Sequence, residues 1–259
     1  QFSLTVSRHV MGVAQCDTKL FVVCMESDTI EVFGRDNKQQ TNITVPGLIR
    51  PRDIVSCTDT KQLYIADYST LNCVWRVSLD GQHVDKWLTN KSTSTTHWSP
   101  YSLSLTSRRL LVTSHPVHKL LFVFDSDGVQ LKHISLSSMQ LLRHAVETSH
   151  ETFIVCHWSP HSQVSEVDVD GHVIRLFSDK QKLSWPVYLA LDSDGRVLVA
   201  DRDKNGVLLL NSRLELERVL LDTEHHQLVQ PPWRLCYVEQ TRQLIVAGDE
   251  SVEIQVFTI

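Results

Sequence analysis

Long apolar runs are absent from the sequence. No stretch approaches the roughly 18 residues of a membrane-spanning helix, so no such helix and no membrane partner are expected. The first residues carry no signal-peptide pattern, and Gln1 is compatible with a cut that hides earlier targeting information. A cytoplasmic location is the expectation, with secretion left open. An excess of basic charge is also missing: 25 Lys and Arg stand against 30 Asp and Glu, for a net charge of −5. That excludes a uniformly basic nucleic-acid surface but leaves room for one basic face. Glycine and proline are scarce, at nine and eight in 259 residues, which excludes a low-complexity chain. No CxxC spacing occurs among the cysteines at 16, 24, 57, 73, 156 and 236. Several of them end apolar runs, as in "FVVC" and "FIVC", and read as buried free thiols. Their even number permits pairing, but sequence does not supply the geometry. HExxH, GxSxG, a phosphate-binding glycine loop and a dinucleotide fingerprint are all missing. No cofactor, metal or enzymatic activity is therefore expected of this chain.

What the chain has instead is a repeated phrase. Six short apolar runs end in a small residue: "LFVVC" at 20–24, "LYIA" at 63–66, "LLVT" at 110–113, "FIVC" at 153–156, "VLVA" at 197–200 and "LIVA" at 244–247. An apolar segment precedes each, such as "DIVSC" at 53–57 or "YLALD" at 188–192, and a further strand-like segment follows each. The first segments start near Val10, Pro51, Pro100, Arg143, Pro186 and Pro232, at intervals of 41, 49, 43, 43 and 46 residues. Periods in the forties with several short strands indicate propeller blades. Proline is tolerated at a strand start, where its missing donor breaks no ladder. Asp-Gly at 80–81, 127–128 and 170–171 favours tight turns. The last repeat has three clear strands, and "FSLTV" at 2–6 reads as a lone strand able to complete it. The expected fold is all-β: one six-bladed β-propeller over residues 1–259, with the N-terminal strand closing the last blade.

The repeats also resemble the NHL β-propeller family, including the domains carried by tripartite-motif proteins. The resemblance rests on "PRDIV…QLYIADYSTLNCVWRVSLDG" at 51–81 and "WPVYLALDSDGRVLVADRDKNGVLLLN" at 185–211. In that family a strand ending in Ala-Asp is followed by a loop containing Asn, a pattern met by Asp67 with Asn72 and by Asp201 with Asn205. Met25, Ser114, His157 and Gly248 are assigned to the Asp position of the other repeats. The resemblance implies a noncatalytic interaction platform, and for some members RNA binding through a positive face. Any ligase chemistry would reside in a RING outside this chain.

A carboxylate repeated in separate blades reads as loop support rather than as a catalyst, which places Asp67 and Asp201 in the scaffold. A six-bladed metal-dependent hydrolase would need acidic and amide groups converging on the channel. Asp53 and Asp192 are available there, but both read as turn-forming or strand-capping residues. The histidine clusters "HPVH" at 115–118, "HWSPH" at 157–161 and "HH" at 225–226 match no zinc spacing. "NIT" at 42–44 and "NKS" at 90–92 are glycan signals short enough to arise by chance.

One face gathers the more informative residues. First-strand starts there carry Arg52, Tyr101, Arg143, His144, Tyr188, Trp233 and Arg234, and adjacent loops carry Tyr68, His118, His157, Trp158, Arg202 and Lys204. Planar groups beside guanidinium groups suit protein or peptide recognition, the favoured partner class. They also suit single-stranded or hairpin RNA, the alternative. "HWSP" occurs twice, at 97–100 and 157–160, at different blade positions; the copies read as two aromatic turns packed beside proline, with a shared place for Trp98 and Trp158 on this face as the alternative.

Overall fold

The computed structural model describes every residue except 35–38, 93–97, 107–108, 159–160 and 224–227. The described residues form six four-stranded antiparallel sheets. The chain opens with β1 (Phe2–Thr5). Blade one contains β2 (Val10–Cys16), β3 (Lys19–Cys24), β4 (Thr29–Phe33) and β5 (Gln39–Thr44). Blade two contains β6 (Pro51–Cys57), β7 (Gln62–Asp67), β8 (Cys73–Ser78) and β9 (Val84–Leu88). Blade three contains β10 (Pro100–Leu105), β11 (Arg109–Ser114), β12 (Leu120–Asp125) and β13 (Gln130–Ser135). Blade four contains β14 (Leu142–Glu147), β15 (Phe153–His157), β16 (Gln163–Val167) and β17 (Val173–Phe177). Blade five contains β18 (Pro186–Leu191), β19 (Val197–Asp201), β20 (Gly206–Leu210) and β21 (Leu216–Leu221). Blade six contains β22 (Pro232–Val238), β23 (Gln243–Gly248) and β24 (Glu253–Thr258), with β1 as its outer strand. The expected closure is therefore present, with Phe2 opposite Val256 and Leu4 opposite Ile254.

The burial pattern explains why the second strands read as unbroken apolar runs. β7, β15, β19 and β23 are buried on both faces because each is covered by the neighbouring blades. The apolar clusters lie between adjacent blades: Ile54 and Trp75 pack with Phe21 and Val23, and Trp98 packs with Phe122 and Tyr64. Glycines at Asp-Gly turns adopt the left-handed conformation, as at Gly81 (φ 74°) and Gly171 (φ 86°). Asn72 and Asn205 take the same region at φ 41° and 50°, which short amide side chains tolerate.

The six inner strands share one irregularity. Each has a bulge immediately after its first residue, where the pairing skips a position. The skipped residues are Met11, Arg52, Tyr101, Arg143, Val187 and Trp233. A bulge bends the strand and re-aims the extra side chain. Here it sorts the residues of the strand start: the skipped residues other than Val187, which joins the core, line the open face, and the next set, Gly12, Asp53, Ser102, His144, Tyr188 and Arg234, is buried.

Gly12 belongs to that inward layer because blade two leaves no room for a side chain. A Cβ at Gly12 would lie 2.7 Å from the Ile54 amide nitrogen and 3.0 Å from the Asp53 Cα. Gly12→Ala is expected to destabilise the fold by about 1–3 kcal/mol, since the obstruction is backbone rather than a movable side chain. Chemical denaturation measures this, and an unchanged unfolding midpoint would refute the close approach.

Candidate functional site

The face at the start of the inner strands holds a concavity of about 550 Å³. Five bulge residues, Met11, Arg52, Tyr101, Arg143 and Trp233, line it. In blade five Val187 is buried in the core, and Trp185 from the preceding turn lines the wall in its place. Arg202, Asp249 and Glu250 complete the side contributed by blades five and six.

Aromatic and guanidinium groups alternate along the rim. The Arg52 guanidinium carbon lies 5.1 Å from the Tyr101 ring centre and 5.8 Å from that of Tyr68. Tyr68 stacks on His115 at 5.1 Å. Arg143 donates to the Tyr101 hydroxyl at 3.1 Å, and its guanidinium carbon sits 5.4 Å from the Trp185 ring centre. Trp185 also stacks on Trp158 at 5.7 Å and receives Arg202 at 4.7 Å. Arg202 is ion-paired with Asp249 at 2.6 Å, which ties blade five to blade six.

The two other face arginines differ from Arg202. Among the described residues no carboxylate pairs with Arg52 or Arg143. Burial, followed by the nearby Arg234 and Arg50 charges, lowers the pKa of Arg52 despite Tyr101. Burial also lowers that of His115, with His118, Arg52 and Arg143 adding in the same direction. A desolvated cationic wall thus stands on blades two to four.

Beneath the concavity the inward layer closes the channel. Tyr188 donates to Asp53, with both carboxylate oxygens at 3.2 Å, and this contact crosses the ring between opposite blades. The Arg234 Nε lies 3.6 Å from Asp53, while its terminal nitrogens donate to the carbonyls of Arg52 at 2.8 Å and Trp233 at 3.1 Å. Asp53 also accepts the amides of Leu103 at 2.9 Å and Ile54 at 3.0 Å. His144 stacks on Tyr188 at 3.7 Å. Its Nδ1 accepts from the Leu189 amide, so Nε2 carries the proton and donates to the Leu103 carbonyl at 3.0 Å. Burial lowers the His144 pKa to about 3 and raises that of Asp53 to about 6, outweighing Arg234 and the hydrogen bonds in the latter case.

These positions correct several expectations. His144, Tyr188 and Arg234 are 1%, 5% and 2% exposed, and they form the channel layer rather than the outer face. The bulge offset separates them from their sequence neighbours Arg143, Val187 and Trp233. His157 is 2% exposed and bonds Ser165 at 3.2 Å, so it too is interior. Asp53 is an inter-blade acceptor rather than a turn or cap. The two "HWSP" copies diverge: Trp98 is core and donates to the Asn72 carbonyl, whereas Trp158 is 43% exposed. His97, Ser159, Pro160 and the pair at 225–226 lie outside the described residues. Arg52, Tyr68, Tyr101, His118, Arg143, Trp158, Arg202 and Trp233 remain at or near the face, with Tyr101 largely buried in its wall.

Asp67 and Asp201 are loop supports. Asp67 accepts the amides of Ile49 and Arg50 and the Trp75 indole, and Asp201 accepts those of Ser184, Trp185 and Lys204. The register places Cys24, opposite Val10, at this position of blade one, instead of Met25. Asp192 is a turn residue as expected, accepting the amides of Asp194 and Arg196. All six cysteines are free, and all but Cys236 are buried. Asp168, Asp170 and His172 converge on an exposed turn, where Asp168 accepts both following amides and approaches the His172 ring at 3.2 Å. Those internal bonds explain the cluster. Sequence reasoning missed Trp185, His115, Asp249 and Glu250; for Trp185 the available signal was its place immediately before a strand-start proline.

No family model matches the chain, and no curated protein matches it. Solved structures do. A virginiamycin B lyase from Staphylococcus aureus matches with a TM-score of 0.70 at 12% identity, over 100% of this chain and 88% of the other. The WD40 β-propeller domain of Doa1 matches with a TM-score of 0.67 at 16% identity, over 99% and 95%. A chain of a nidogen/laminin complex matches with a TM-score of 0.66 at 13% identity, over 82% and 80%. At these identities the likeness shows the propeller fold alone.

Proposed function

We propose that this chain is a noncatalytic recognition scaffold that binds a protein segment through the concave face, in the manner implied by its resemblance to NHL propellers. The observation that carries this reading is the convergence of bulge residues from different blades on one aromatic and cationic concavity. Large planar groups with few rotatable bonds bury contact area at low entropic cost, and arginine adds directed donors. Beneath it, Tyr188 donates to Asp53, and Asp53 faces Arg234 at 3.6 Å rather than a second carboxylate. That arrangement favours binding over hydrolysis. Protein is favoured over RNA because Asp203 and Asp249 flank Arg202 at 3.9 and 2.6 Å, with Glu250 beside them. A phosphate chain crossing the cavity would meet those carboxylates.

Trp185→Ala tests the face. It removes the ring shared by Trp158, Arg143 and Arg202, and is expected to weaken binding of a selected peptide by about tenfold or more, the range of an interface hot spot. Trp87→Ala, on the outer strand β9, serves as the control and is expected to leave affinity unchanged. Titration of peptides selected from a displayed random library provides the measurement. Equal affinity for wild type and the Trp185 variant would refute the face, and so would the absence of any selected binder.

A further inference from the structure

The wall formed by Arg52, Tyr101, Arg143 and Trp185 is chemically one-sided. Arg52 and Arg143 have no carboxylate partner among the described residues, although both are partly withdrawn from water. The Arg143 Nε is buried and meets no acceptor, and the same holds for the Trp185 indole nitrogen in this wall. The Tyr101 hydroxyl joins the two arginines, accepting from Arg143 while its ring lies under Arg52. His115 is the adjacent ring, stacked on Tyr68 and edge-on to Tyr101 at 5.7 Å. Among the described residues both buried unsatisfied groups of this wall are therefore donors, one of them on a cation, and the second cation, Arg52, has no carboxylate beside it. Across the cavity the character reverses to Met11, Met25 and Trp233 with Asp249 and Glu250.

Resting on the recognition reading above, we infer that the Arg52–Arg143 wall is the specificity pocket for an acidic side chain of a protein ligand, with the neighbouring residue of that ligand seated on the Met11, Met25 and Trp233 side. A carboxylate is acceptor-only and pairs with guanidinium in a planar, two-bond geometry. Burying it against two half-desolvated arginines supplies the acceptors their environment lacks. Lysine would not reproduce this, because an ammonium group does not offer the same fork of donors. The change of sign across the cavity limits the pocket to one isolated acid rather than an acidic run.

Random linear peptides displayed on phage are selected on the wild-type chain, resynthesised and titrated by fluorescence anisotropy. The expected pool carries an Asp or Glu next to an apolar residue, and changing that acid to its amide weakens binding to wild type by about tenfold or more. In Arg52→Gln/Arg143→Gln the acid and amide peptides bind alike. Arg52→Lys/Arg143→Lys, which retains charge, is expected to keep only part of the preference. It also serves as the folding-competent variant if thermal unfolding shows the glutamine pair to be disrupted. An acid-free consensus, or an undiminished acid preference in both double variants, would overturn the inference. If Trp185→Ala still abolishes binding in that case, the recognition face stands and only the acidic pocket falls. If Trp185→Ala has no effect, the recognition reading itself falls. A single-stranded RNA pool that binds wild type, displaces the peptides and is lost with the arginines would assign the wall to phosphate and overturn the acidic side-chain assignment.

Discussion

Arg234→Met is expected to destabilise the fold by about 3–5 kcal/mol near neutral pH, the cost of stranding one member of a buried ion pair. The substitution leaves Asp53 fully buried with its amide and tyrosine donors but without the one counter-charge that pairs with it among the described residues. It also frees the carbonyls of Arg52 and Trp233. The pH dependence gives a sharper signature. Asp53 in the folded chain has a pKa of about 6, above its ordinary 3.8, so the folded state holds this proton more tightly than the unfolded state. The corresponding stabilisation is complete below the unfolded value and is lost as pH rises through about 6. Arg234 is the largest influence lowering that pKa. Without it the proton is held to higher pH, and the deficit of the variant grows between about pH 5 and about pH 8. Asp53→Asn/Arg234→Met removes both charges and should recover much of the loss. Urea unfolding at the two pH values checks both statements. A deficit below about 1 kcal/mol, or one independent of pH, would show that the pair does not act as the channel's central tie.

Asp201→Ala is expected to cost about 3 kcal/mol or more and to weaken face binding at the same time. Its carboxylate holds three backbone donors, from Ser184 at 2.6 Å, Trp185 at 2.9 Å and Lys204 at 3.1 Å. Each donor left without an acceptor costs on the order of 1–3 kcal/mol where water cannot replace it. The segment released is the one that presents Trp185, so the same change loosens the ring on which Trp158, Arg143 and Arg202 assemble. Asp201→Asn keeps one acceptor oxygen and should give an intermediate loss of both properties. Asp67→Ala should match the stability cost through Ile49, Arg50 and Trp75. Thermal unfolding and peptide titration on the same samples measure the two effects. Full stability in Asp201→Ala would contradict the support role, and lost stability with intact binding would separate Asp201 from Trp185.

The architecture was legible in the sequence because a propeller writes the same physical requirement six times. Strands covered on both faces must be apolar throughout, strand starts tolerate proline, and Asp-Gly turns supply a left-handed residue. The matched pair Asp67 and Asp201 was readable for the same reason: each holds the connection into its blade. The fourth blade starts at Leu142, one residue before the expected Arg143, and at that position periodicity no longer assigns side chains to a face. A one-residue bulge reverses which side chains face outward. Arg143 and His144, or Trp233 and Arg234, are adjacent in sequence, yet the first of each pair lines the concavity and the second belongs to the layer that closes the channel beneath it. Residue type alone favours all four as surface contacts. Only the pairing register, with Leu142 opposite His157 and His144 opposite Cys156, assigns Arg143 to the face and His144 to the interior. Trp185 was hidden differently. It takes the wall position of blade five from a turn, while the bulge residue Val187 is absorbed by the core.

The most direct test of a single recognition face built by the bulged strand starts is a nuclear magnetic resonance titration of the six tryptophan indoles with a selected peptide. Trp158, Trp185 and Trp233 are expected to shift together with one saturation curve, while Trp75, Trp87 and Trp98, packed among or outside the blades, stay in place. Shifts confined to Trp87 on the outer strand, or three face indoles that saturate independently, would contradict a common face.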